Sequence, residues 1–162
     1  MLTCTLGPLA KCSPRELVRV KVANATEWAI VGATDPGLRP LVFLTGKNAP
    51  YVLNVFDDLR ELGTYPVAKY GTNYEFVHDP KGPCQIGEGK LHQTAGSLVL
   101  FEDGDWHLIV NTAQGGGLRW FELGSGKLMG ERGAHKIAFG KWRLSMEGVK
   151  HEPPEATLFS HG

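Results

Sequence analysis

Three things are scarce in this chain of 162 residues: excess charge of either sign, long apolar runs and cysteine. Basic and acidic residues balance at 17 each. That balance gives no pull toward nucleic acid or an anionic membrane. It also leaves little electrostatic protection against self-association, which points toward a homo-oligomer. No stretch approaches the roughly 20 apolar residues of a membrane-spanning helix. The segment from Met1 to Cys12 has neither a basic start nor an apolar centre, so it does not read as a secretory signal. Three cysteines, Cys4, Cys12 and Cys84, do not make a disulfide framework. Free thiols in a cytoplasmic protein are expected, with a Cys4–Cys12 bridge as the alternative under oxidising conditions.

Long helices have almost nowhere to sit. The chain holds 21 glycines and 10 prolines, spread throughout. Only residues 15–31 and 51–62 run far without either. The pieces between are the length of strands. The most legible stretch is 96–130, which reads as a meander. Its strands are Ser97–Glu102, Trp106–Thr112, Leu118–Leu123 and Lys127–Met129, with Asp103-Gly104-Asp105, Ala113–Gly117 and Gly124-Ser125-Gly126 between them. Short β-branched and aromatic runs bounded by Gly and Asp are what such a meander requires.

Elsewhere the signals are shorter. Ser13-Pro14-Arg15-Glu16 matches a helix start, yet Val18, Val20 and Val22 then alternate with Arg19 and Lys21, which is a strand from Leu17 to Ala23. Its partner is Thr26–Val31, after a turn at Asn24-Ala25. A turn at Thr34–Gly37 leads to strands Leu41–Thr45 and Tyr51–Val55. One helix is expected over about 54–62, where Val55, Leu59 and Leu62 share a face and Gly63 follows. Hairpins are expected at Pro66–Tyr70 with Tyr74–His78, and at Ala134–Phe139 with Trp142–Met146. Cys84–Leu91 reads as an interrupted edge strand.

The expected domain layout is an irregular arm over 1–16, with an edge segment over 1–14 as its alternative, one β domain over 17–146 and a polar, frayed tail over 147–162. Ten to twelve short strands must stack or close to cover an apolar face. The fold expected is therefore all-β and antiparallel, a sandwich or partly open barrel with one short helix. The chain is too short for a complete propeller.

No motif names a reaction. The histidines His78, His92, His107, His135, His151 and His161 show no zinc-ligand spacing. Cys84 with His78 could act as nucleophile and base only across the 79–83 loop. The acids of Asp103-Gly104-Asp105 fall short of a calcium site and read as a turn. Gln114-Gly115-Gly116-Gly117 precedes a strand, unlike a phosphate loop. Glu75 and Glu122 sit mid-strand and could serve acid–base work only if both faced one pocket.

The aromatics are more informative: Trp28, Trp106, Trp120, Trp142, Tyr51, Tyr65, Tyr70 and Tyr74. Trp120 and Phe121 are adjacent in one strand, so one of them must leave the main core. The leading expectation is a non-catalytic binding domain without metal or cofactor. It presents an aromatic-lined pocket to a small apolar or sugar-like ligand or a protein partner. Trp106, His107, Gln114, Trp120 and Tyr74 are the candidate contact residues. Two alternatives are a small hydrolase-like enzyme, using His and acidic residues from adjacent strands, and a structural subunit of a homo-oligomer.

Overall fold

The computed structural model describes residues 4–33, 39–53, 66–112, 117–130, 135–146 and 157–161. These form an all-β fold with two short 3-10 turns, Leu9–Lys11 and Lys90–Gln93. The helix expected over 54–62 and the turn at Thr34–Gly37 lie outside the described residues. No helix among the described residues is long and apolar enough to cross a membrane. Cys4, Cys12 and Cys84 are free thiols.

Most strands join one large sheet. Its first half holds β1 (Thr5–Pro8), β2 (Leu17–Val22), β3 (Ala25–Val31), β4 (Leu41–Phe43), β5 (Tyr51–Leu53) and β6 (Pro66–Lys69). A second, smaller sheet begins with β7 (Tyr74–His78). The large sheet resumes with β8 (Cys84–Ile86), β9 (Leu98–Phe101), β10 (Trp106–Thr112), β11 (Leu118–Glu122), β12 (Leu128–Met129) and β13 (His135–Phe139). β14 (Trp142–Met146) and β15 (Thr157–His161) then complete the smaller sheet, in the order β15-β14-β7.

β10 is where the large sheet forks. One edge pairs with β11 over residues 107–111. The other edge is divided: β9 takes residues 106–108, and β5 takes 111–112 in a parallel pairing. From there β5, β4 and β3 curl round until Ala33 meets Lys127 through one isolated bridge. The result is a partly open ring rather than a closed barrel.

Alternation decides what the ring contains. Ile30, Val42, Val52, Leu108, Val110 and Phe121 share one buried cluster. The smaller sheet adds Trp142 and Leu144 to it. The opposite strand faces are covered too. Val18, Val20, Ala29, Val31 and Phe43 pack with Leu9 and Cys12 of the N-terminal segment. Val99, Phe101, Ile109, Trp120 and Ala138 form a third cluster. Trp120 does leave the main core, but it enters this other one; Trp120 and Phe121 are both buried.

Three expectations change, and at the N-terminus the edge alternative is the one realised. Pro66–Tyr70 and Tyr74–His78 are not a hairpin, because β6 has β1 on one edge and β2 on the other. With no edge left, the chain turns at Gly71 (φ +81°) and β7 pairs with β14 instead. The expected hairpin at Gly140-Lys141 fails for the same reason: β13 already lies between β9 and β8. The N-terminal arm holds the edge strand β1, and the tail holds β15, which pairs with β14.

Candidate functional site

A cleft of about 330 Å³ opens where the smaller sheet meets the ends of β9, β10 and β11. One wall is β7, with Tyr74, Glu75 and Phe76. Opposite stand Asp105 and Trp106 at the start of β10. Leu98 also lines it, and Leu123, Gly124 and Arg15 complete the rim.

Each wall has a local cause. The β9–β10 turn is closed by Gly104 N–H donating to the Phe101 carbonyl at 3.1 Å, with Gly104 at φ +92°. The Asp105 N–H donates to Asp103 Oδ1 at 3.1 Å, so this loop is an acid-capped turn that delivers Trp106 into the strand. Trp106 lies near-parallel to His78 (ring centres 6.0 Å) and to Phe139 (5.9 Å). Tyr74 and Phe76 meet edge to face at 6.1 Å. All three cleft aromatics are half-buried, packed against the main core cluster while lining the cleft.

Arg15 is the most constrained residue of the cleft. It has φ +70°, a conformation non-glycine residues seldom hold. Its N–H donates to the Val31 carbonyl at 2.7 Å, and its carbonyl accepts the Tyr74 hydroxyl at 2.7 Å. Its side-chain Nε donates to the Leu123 carbonyl at 2.8 Å. Burial pushes the Tyr74 phenol well above its ordinary pKa, against the opposing pull of the Arg15 cation. Tyr74 therefore stays a neutral donor that locks Arg15 in place.

The five residues expected at the site divide. Trp106 and Tyr74 come together in this cleft. His107 and Trp120 lie on the other face of β10 and β11, at 0% and 5% exposure, with His107 edge-on to Phe101. Gln114 lies outside the described residues. Arg15 and Phe76 were missed, because neither the positive φ nor the pairing of β7 with β14 has a local sequence signal.

Two other clefts hold polar groups. The larger, about 460 Å³, is lined by His78, Asp79, Lys141, Trp142, Arg143 and His161 among others. Its two histidines flank Trp142 across three neighbouring strands. Two strand spacings separate them, roughly 9–10 Å, too far for one to act directly on the other. Lys141 and Arg143 are exposed, and Trp142 at 2% exposure offers a ligand almost no surface. The third cleft, about 370 Å³, is lined by Asn48, Tyr51, Asn111 and Thr112, without a charged group.

The acids and the cysteine do not assemble. Glu122 Oε2 accepts the Ser125 hydroxyl, while Glu75 is exposed on another sheet. Cys84 is exposed and makes no hydrogen bond to His78 among the described residues. No group of three His, Cys, Asp or Glu among the described residues is placed to hold a metal ion. The chain matches no protein-family model, no curated protein and no solved structure.

Proposed function

We propose that this chain is a non-catalytic binding domain that holds a small ligand with a flat apolar body between Tyr74, Phe76 and Trp106. One observation carries the reading: three half-buried aromatic rings face a single cleft beside a cation held at a strained backbone position. Strain of this kind costs roughly 1–3 kcal/mol and gathers at functional sites. The volume of about 330 Å³ suits a small molecule. Acid–base chemistry has less support than binding, because the cleft that gathers His78, Asp79 and His161 holds its two histidines two strand spacings apart.

The test uses indole as probe. Titration followed by NMR should shift the Trp106 ring N–H resonance, and a thermal-shift assay should show stabilisation, because a ligand selective for the folded state raises Tm. Gly124→Phe should abolish both effects without loss of fold, since a side chain at Gly124 would enter open space. Indole binding that survives Gly124→Phe, or no binding at all, would refute the site.

A companion reading is self-association through sheet edges. Leu6 on β1 and Ile86 on β8 are 80% and 81% exposed. These strands are two of the outer strands of the forked large sheet, where unpaired backbone groups invite a further strand.

A further inference from the structure

The charged groups along the aromatic cleft are not equivalent. Glu75 is exposed and sits between Tyr74 and Phe76 on β7, so alternation turns it away from the face those two rings share. Asp105 is already engaged within the chain. Arg15 is the one cation among the described residues that line the cleft. It is half-buried, and no carboxylate among the described residues lies within ion-pair range of it. Its Nε donates to the Leu123 carbonyl, and its Nη groups meet no acceptor among the described residues. A cation partly withdrawn from water gains most from an anion that answers its hydrogen bonds.

The backbone keeps this charge beside the rings. The Arg15 carbonyl accepts the Tyr74 hydroxyl, and Tyr74 is itself part of the aromatic wall. With Nε taken, the remaining edge of the guanidinium is the Nη pair. Its two parallel N–H bonds match the two oxygens of one carboxylate. A single guanidinium balances a single negative charge, which a phosphate monoester would exceed. We propose that the cleft takes an aromatic carboxylate, a flat ring bearing one carboxylate and no cationic group. Its ring lies among Trp106, Tyr74 and Phe76, and its carboxylate meets the Nη edge of Arg15. This rests on the binding reading above and names the ligand class for that same site.

Calorimetry on the full chain separates the charges with three probes of nearly the same shape: indole-3-carboxylate, the neutral indole-3-carboxamide and the cationic 3-(aminomethyl)indole. The carboxylate should bind at least tenfold more tightly than either of the others, and a smaller margin overturns the proposal. Arg15→Gln should lose that margin over the carboxamide; a folded variant that keeps it also overturns the proposal. NMR of the wild-type chain gives a readout that does not depend on the variant folding. The carboxylate should shift the Arg15 Nε–H resonance and the carboxamide should not, and a resonance unmoved by bound carboxylate refutes the contact. If none of the three probes binds while indole still does, the ligand class falls and the aromatic cleft stands. If indole fails as well, both fall.

Discussion

Arg15 and Ala23 are the two described non-glycine residues with positive φ, at +70° and +52°, and they differ in what holds them there. Arg15 is fixed by hydrogen bonds from its N–H, its carbonyl and its side chain. Ala23 is exposed in the two-residue loop between β2 and β3, where Val22 pairs with Ala25. Positive φ at the first loop position alone is the pattern of a II′ turn, which favours glycine there. Ala23→Gly is therefore expected to stabilise the fold by up to about 1 kcal/mol, the left-handed penalty less the entropy glycine gains on unfolding. In a chain of this size that raises Tm by roughly 2–4 °C, measurable by calorimetry. The turn itself was legible only to within a residue, since alanine carries no turn signal. At Ser13–Glu16 the local reading was sound as far as it went. The Ser13 N–H does donate to a Glu16 carboxylate oxygen at 2.9 Å, as in a helix cap. The helix does not follow because Arg15 is left-handed, a conformation imposed by Val31, Leu123 and Tyr74, all remote in sequence.

Among the elements, β15 is the one that the sequence concealed and that answers to pH. It read as a tail because it follows Pro153-Pro154, although Thr157–His161 is long enough for a strand. His161 stacks on Trp142 with ring centres 5.3 Å apart, and its ring lies against Gly96. Trp142 Nε1 in turn donates to the Gly96 carbonyl at 2.7 Å. Burial lowers the His161 pKa below its ordinary value. The folded state thus prefers neutral imidazole. The stability this gives β15 is complete above the unfolded pKa, about 6.5, and is lost as pH falls through the lower folded value. Amide-exchange protection factors in β15 should fall between pH 7.5 and pH 5, and His161→Phe, which keeps the stacking, should remove that dependence. Unchanged protection in the native chain would contradict the burial argument. The sheet corners at Gly71 and Gly140 were hidden for another reason. Neighbouring strands with a glycine between them look like hairpins locally, and only the occupied edges of β6 and β13 forbid it.

For the molecule as a whole, alternation and turn chemistry sufficed for the all-β class and for the meander. They could not show which strands would meet, since Tyr74 pairs with Met146 and Thr5 with Lys69. The parallel contact of β5 with β10 had no signal at all. Two of the outer strands, β1 and β8, carry the companion reading of self-association. Sedimentation equilibrium should show mass rising with concentration, and Leu6→Lys combined with Ile86→Lys should return the protein to monomer. Both side chains are exposed, so the paired substitution should leave Tm within about 2–4 °C, because surface changes seldom exceed 0.5 kcal/mol each. A monomer at every concentration would dismiss the edge reading.

The joining of β7 to β14 has a temporal side. Arg15, Tyr74 and Trp106 are all made before Trp142–Met146, the partner of the strand that seats Tyr74. Distant partners slow folding, since the intervening chain must be drawn together before any contact rewards it. A nascent polypeptide still short of Met146 would own every side chain of the cleft but not the strand that seats one of its walls.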